Sequence, residues 1–345
     1  MPTFSPIFVR SPRILNVLGT SVNDVASVDI FIWTINGSQP TSPTYTLNKQ
    51  IPSPNNLTVH FDISPYCREF IKHLNYTPVN DMTQVLDDEF CFVKTVTKLN
   101  KFDILTSYFV AFDGYGYHEQ GFNPNLGDVH LDEGLYYVRQ NQLNFGGVYY
   151  YGNGNDVYSV TYTSLTTGLT TSYGLDDGYN YLPYLHANYV SQGNKMEIFK
   201  NSALIKTFTF EPICEPKYTP VVCDFVNRYG SWQRIIFFKA SRQSFESNGS
   251  EFNLMPESVN YNVFENRKQT FNRNGVQSIK VNTGFVPENY KDVMKQLLLS
   301  EKIMIDDQPA KLRTQSVELQ EHITKKLINY ELEFEYSFEQ RNYIV

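Results

Sequence analysis

The sequence predicts a mainly β protein: N-terminal β-sandwich units of immunoglobulin-like type, followed by an α+β C-terminal domain. Three observations carry this. Aromatic residues make up 15% of the 345 positions, with 25 Tyr and 25 Phe, and aromatic side chains suit pleated, half-buried surfaces. The chain also holds 31 Asn, a residue that favours turns. Several segments alternate apolar and polar residues with a period of two, as a strand with one buried face does.

In chain order, residues 27–35 read SVDIFIWTI, a strand closed by the turn pair Asn36-Gly37. Residues 57–63 (LTVHFDI) alternate Leu57, Val59, Phe61 and Ile63 against polar partners. Ser64-Pro65 then reads as a helix start, with Ser capping and Pro in the first turn. Tyr66, Cys67, Phe70, Ile71 and Leu74 would share one face of that helix. Strands follow over residues 90–98 and 104–112. Two sheets with a short crossover helix point to a sandwich over residues 1–113.

Residues 113–150 read as a glycine-rich loop crowded with Tyr115, Tyr117, Phe122, Tyr136, Tyr137, Phe145, Tyr149, Tyr150 and Tyr151. Strands resume over residues 157–163 and 170–173. A hairpin of residues 195–199 and 204–210 turns at Asn201-Ser202. This makes residues 114–212 a second β unit with a long aromatic loop.

Residues 213–345 read as an α+β assembly domain. Residues 221–227 and 234–239 pair around Arg228-Tyr229-Gly230-Ser231, and residues 277–281 add a strand. A helix over residues 287–299 starts at Pro287 and places Tyr290, Val293, Met294, Leu297 and Leu298 on one face. The strictest alternation is YELEFEYSFE at residues 330–339. Tyr330, Leu332, Phe334, Tyr336 and Phe338 face one side, and Glu331, Glu333, Glu335, Ser337 and Glu339 the other.

Composition excludes several function classes. The net charge of −7 leaves no chain-level basic footprint, so no nucleic-acid partner is expected. No run approaches the length of a membrane-spanning helix, and residues 1–20 lack the basic start and apolar run of a signal peptide, so none is expected. Cys67, Cys91, Cys214 and Cys223 lack zinc-ligand spacing and read as reduced, buried residues. A Cys214–Cys223 disulfide is the alternative. The six His are scattered, and no phosphate-binding loop or nucleophile elbow is present. Asp113-Gly114 and Asp176-Asp177-Gly178 read as turns rather than calcium loops. No cofactor and no metal are expected.

Two patterns invite functional readings. Alternate glutamates on one strand lie roughly 6–7 Å apart, within the carboxylate spacings of glycoside hydrolysis. The E-x-E-x-E run of Glu331, Glu333 and Glu335 resembles the E-x-D-x-E strand of laminarinase-like jelly-roll glycosidases but departs at its centre. Glutamates on the wet face of a strand are also ordinary protection against aggregation. The Tyr-rich loop has the composition of a recognition surface, because Tyr gives rigid contact area at low entropic cost.

A wider resemblance rests on residues 214–241 (CEPKYTPVVCDFVNRYGSWQRIIFFKAS), 282–301 (NTGFVPENYKDVMKQLLLSE) and 326–342 (KLINYELEFEYSFEQRN). Residues 47–71 and 111–124 (AFDGYGYHEQGFNP) extend it. These segments resemble virion structural proteins of tailed bacteriophages, with an E-C-x-Y-x-P, F-x-N-x-x-G, F-F core. The chain departs from that core at Ile213–Tyr218, where Glu follows Cys.

The resemblance implies a non-enzymatic tail, baseplate or connector subunit, made in the host bacterial cytoplasm and carried in the virion. Its partners would be copies of itself and other virion proteins. Interface residues would come from Glu331, Glu333, Glu335 and Glu339, and from Tyr115, Tyr117, Phe122, Tyr149 and Tyr150. The alternatives are a receptor- or glycan-binding tail module and, last, a carbohydrate-active enzyme.

Overall fold

A computed structural model describes residues 3–74, 83–84, 89–124, 129–130, 135–139, 147–152, 154, 156–183, 194–213, 217–255, 259–260, 262–264, 267–316 and 327–341. Phe145 and Cys214 lie outside them, as do the side chains of Tyr136 and Tyr137. The chain is mainly β, in several sheets. It forms two compact units, Met1–Glu215 with Phe225–Ile235, and Pro216–Asp224 with Ile236–Val345.

The first unit begins with β1 (Ser5–Phe8), β2 (Ile14–Leu18), β3 (Val25–Trp33), β4 (Tyr45–Gln50) and β5 (Thr58–Asp62). Helix α1 (Ser64–Arg68), β6 (Thr83–Gln84), β7 (Phe90–Leu99) and β8 (Phe102–Phe112) follow. One sheet has the order β1-β8-β7-β3-β4, with β1 parallel to β8 and the other pairs antiparallel. β2 pairs with β5 antiparallel. The alternating apolar residues of these elements make one core, including Val28, Ile30, Val59, Phe61, Ile63 and Cys67.

α1 is shorter than the apolar spacing predicts. Ser64 does not cap it: its hydroxyl donates to the Ser11 carbonyl at 2.7 Å and accepts from the Arg13 amide at 2.8 Å. Phe70 and Ile71 still pack on the core, but Leu74 falls outside the helix and is exposed.

The unit continues with α2 (Tyr117–Gln120), β9 (Val129–His130), β10 (Leu135–Arg139), β11 (Gly147–Gly152), β12 (Tyr158–Ser164) and β13 (Thr170–Leu175). β14 (Gly178–Pro183), β15 (Asn194–Lys200) and β16 (Ala203–Ile213) complete its sheets. They form two sheets, β10-β16-β15-β12-β13 and β6-β14-β11-β9. The β15–β16 turn at Asn201-Ser202 takes left-handed dihedrals at both positions (φ 48° and 69°), as a twisted two-residue hairpin requires. Cys67, Cys91 and Cys223 are buried.

The loop expected over residues 113–150 is not one loop. Residues 147–152 are the fully buried strand β11, paired with β14 from Gly147↔Pro183 to Gly152↔Gly178. A run buried on both faces carries no alternation, so GVYYYG did not read as a strand.

The second unit contains β19 (Arg242–Asn253), β20 (Lys268–Pro287), α3 (Lys291–Leu299), β21 (Ile303–Ile305), β22 (Gln308–Leu312) and β23 (Leu327–Arg341). With β17 (Val221–Val226) and β18 (Trp232–Phe237) the sheet order is β18-β17-β21-β22-β23-β20-β19. In β23, Leu332 and Phe334 are 1% and 0% exposed and Tyr330 and Tyr336 are buried, while the glutamates face out.

Pro287 ends β20 in extended conformation rather than starting the helix; a 3₁₀ turn, Glu288–Tyr290, comes between. Tyr290, Val293, Met294 and Leu297 are buried as their spacing predicts, with Leu298 half-buried.

β20 reaches well beyond the expected strand at residues 277–281. It pairs with β23 across a bulge between Asn282 and Phe285. There Gly284 adopts φ 71°, and its amide donates to Asn282 Oδ1 at 2.7 Å. Its first residues, Lys268–Arg273, are exposed, as is all of β19. The two strands make a long antiparallel hairpin from Arg242↔Lys280 to Asn253↔Lys268.

Candidate functional site

Two of the aromatics predicted to face partners are interior. Tyr149 and Tyr150 are 5% and 0% exposed. Tyr149 stacks on Tyr179 at 5.1 Å, and Tyr179 meets Phe90 and Phe112 edge-on or tilted. The Tyr179 hydroxyl donates to Glu89 Oε2 at 2.9 Å and shares a 2.7 Å hydrogen bond with Ser231 Oγ. Tyr149 and Tyr150 are therefore core residues, and the polar tip of Tyr179 is satisfied inside the unit. Burial also pushes the neighbouring Tyr151 phenol up.

Tyr115 and Tyr117 are half-buried, and only Phe122 is well exposed. The segment carrying them is pinned. Asn123 Nδ2 donates to the carbonyls of Phe8 and Ser11, and its Oδ1 accepts from the Phe8 amide. The Tyr115 amide donates to the Arg228 carbonyl at 2.9 Å. Burial pushes the Tyr115 phenol up to about 12.

At the head of this segment Asp113 is 6% exposed. Arg10 grips both of its oxygens, Nε to Oδ1 at 2.8 Å and the terminal nitrogen to Oδ2 at 2.7 Å. Arg68 lies at 3.5 Å, and His73 Nε2 lies at 3.4 Å without the alignment of a good hydrogen bond. Burial alone would raise the carboxyl, but the His73 contact and the Arg10 fork with its charge outweigh it and hold it at about 2. Gly230 (φ 81°) sits against the Asp113 backbone, where a Cβ would come within 2.6 Å of the amide nitrogen. This cluster ties turns together.

The glutamate stripe of β23 is not bare. Lys280 Nζ contacts Glu331 at 2.6 Å. Arg313 bridges three carboxylates: Glu333 at 3.1 Å, Glu246 of β19 at 3.3 Å and Glu335 at 3.6 Å. The Lys280 hydrogen bond and charge lower the Glu331 carboxyl, the opposite of what a general acid needs. Glu339 is exposed on the same strand. Beside Lys280 and Glu331, an open groove of about 550 Å³ is lined by Tyr218, Lys239, Arg242 and Asn282.

The feature missed by sequence reasoning is the β19–β20 hairpin. Beyond it, Met255, Val259, Val263 and Phe264 are 88%, 101%, 74% and 94% exposed. The signal was present as a polar, Asn- and Ser-rich run ending in LMPESVNYNVF. Among the described residues the outer part of the hairpin, before Asn274 of β20, is not paired with β23; isolated two-stranded hairpins are marginal in water, and clustered exposed apolar residues mark interaction surfaces.

Among the described residues no group of three His, Cys, Asp or Glu is placed to hold a metal ion. Among them, too, no helix is long and apolar enough to cross a membrane. Neither a protein-family model nor a curated protein matches the sequence.

Proposed function

We propose that the chain is a non-enzymatic structural component of a bacteriophage virion, in the tail, baseplate or head–tail connector. It acts through subunit–subunit interfaces. The observation that carries this reading is the hairpin of β19 and β20, exposed along all of β19 and over Lys268–Arg273 of β20, with Met255, Val259 and Phe264 bare beyond it. An arm of that kind gains stability only when something packs against it. The segments that resemble phage virion proteins flank this arm on both sides. On this reading the N-terminal sheet and its β2–β5 partner serve as an immunoglobulin-like spacer.

The glutamate stripe contributes less than its sequence pattern suggests, because Lys280 and Arg313 already sit beside it. A receptor-binding role would fall on Phe122, at 57% exposure, and on the half-buried Tyr117. Binding of the purified protein on a glycan array would favour that role.

The test is composition of particles. Mass spectrometry of virions purified from a lysate of the host should find this chain in fixed copy number. Its absence from intact, infectious particles would overturn the reading.

A further inference from the structure

β19 is the terminal strand of its sheet, and no strand lies along its outer edge among the described residues. Such an edge is a row of unpaired N–H and C=O groups, ordinarily blunted by proline, lysine or short length. β19 uses none of these three; its pairing with β20 shifts register between Asn248 and Ser250, where the additional residue lies on the β20 side. It reads RQSFESNGSEFN, has no Pro or Lys, and all twelve residues are exposed. The outer strands β4 and β13 have six residues each, and β4 carries Lys49. The carboxylates of β19 are already neutralised within the chain, Glu246 by Arg313 and Glu251 by Lys268. The edge therefore lacks the charge repulsion that would keep another strand away.

The strand also complements itself. Antiparallel pairing about a two-fold axis at Ser247 sets Arg242 opposite the partner's Phe252 and Gln243 opposite the partner's Glu251. It sets Phe245 opposite the partner's Gly249 and Ser247 opposite its own counterpart. A guanidinium over a ring is favourable, and a Gln amide can donate to a carboxylate. No like charges stand directly opposite each other, the arrangement that destabilises cross-strand pairs. Leu254 and Met255, both exposed, would then run past the partner's Arg242 towards the partner's Ala240 and the partner's Lys239.

We infer that β19 is a self-pairing edge, by which two copies of the chain join antiparallel through residues 242–252 with Ser247 on the two-fold axis. The inference deepens the assembly reading above and rests on it. Such a contact is isologous and closes on itself, and its backbone ladder needs no further partner.

The test uses the full chain with one added cysteine per variant, the four native cysteines left in place. Directly opposed strand residues have Cα atoms about 4.5–5.5 Å apart, inside the range a disulfide spans. Ser247→Cys should give a reducible dimer on oxidation, well above the wild-type background. Phe245→Cys and Gly249→Cys should cross-link poorly alone and strongly when mixed.

Ser247→Lys and Ser247→Glu, both at an exposed position, should each raise the dimer dissociation constant by more than about tenfold. Mixing the two should restore association. A wild-type chain that associates while none of these cysteines cross-links and neither charge variant weakens it overturns the β19 edge but leaves assembly standing. A chain monomeric at every concentration overturns the self-pairing. Absence from virions, measured separately, overturns the virion reading alone.

Discussion

The ring of Phe245 occupies the space where Gly275 would carry a side chain, so that a Cβ there would collide with Cζ and Cε2 of the ring. The two residues lie on paired strands, Phe245 opposite Gln277 and Gly275 opposite Ser247. The aromatic face thus covers backbone that glycine leaves bare, and it stiffens the hairpin near its base. Gly275→Ala should push the half-exposed Phe245 ring aside and change the stability of the second unit by less than about 1 kcal/mol, because the ring end is free to swing into solvent. The check is amide exchange: any change in protection should fall on β19 and β20 rather than on β23.

Asp113 couples the first unit's stability to acid. Its folded carboxyl titrates at about 2, below the ordinary aspartate value near 3.9, so it stabilises the fold by about 2 kcal/mol when ionised in both states. That contribution is complete above roughly pH 4 and is lost as pH falls through about 2. Asp113→Asn removes the buried carboxylate charge that Arg10 grips through both oxygens and should cost about 3 kcal/mol at neutral pH. Urea titrations should show the gap between wild type and variant narrowing below pH 4.

Tyr179 ties Glu89 to Ser231 through one hydroxyl. Tyr179→Phe keeps the ring stack on Tyr149 but removes a hydrogen bond to a carboxylate at a buried position. A loss of about 1.5–3 kcal/mol is expected. Thermal unfolding of the variant should fall, with little change in far-UV circular dichroism.

Arg313 behaves differently, because its three carboxylate partners are at the surface. Hydrogen bonding to Glu246, together with the charges of Glu246, Glu333 and Glu335, raises its pKa. Exposed pairs contribute little, so Arg313→Ala should cost less than about 1 kcal/mol and the cost should shrink in high salt. Charge reversal of Glu331, Glu333 and Glu335 to Lys would instead set like charges beside Lys280 and Arg313. Neutral Gln variants are the cleaner probe of any interface role for the stripe.

Legibility of the sequence followed the wetness of each face. β23 was plain because one face is dry and the other wet, and Leu332, Phe334 and their neighbours therefore alternate. The β15–β16 turn was plain because Asn201 tolerates left-handed dihedrals. β11 was hidden for the reverse reason: Tyr149 and Tyr150 are both buried, and a strand dry on both faces has no period. β19 was hidden because it is wet on both faces, so RQSFESNGSEFN reads like a loop. The aromatic wealth was legible as β structure, yet spacing alone could not separate the core tyrosine Tyr150 from the exposed Phe122. That distinction depends on strand pairing between β11 and β14, which lie far apart in sequence.

The association of the purified chain tests the account most directly. Sedimentation velocity over a broad concentration range should show monomers giving way to dimers, with Ser247→Lys shifting the transition to higher concentration. A single monomeric species at all concentrations, unaltered by Ser247→Lys, would contradict it.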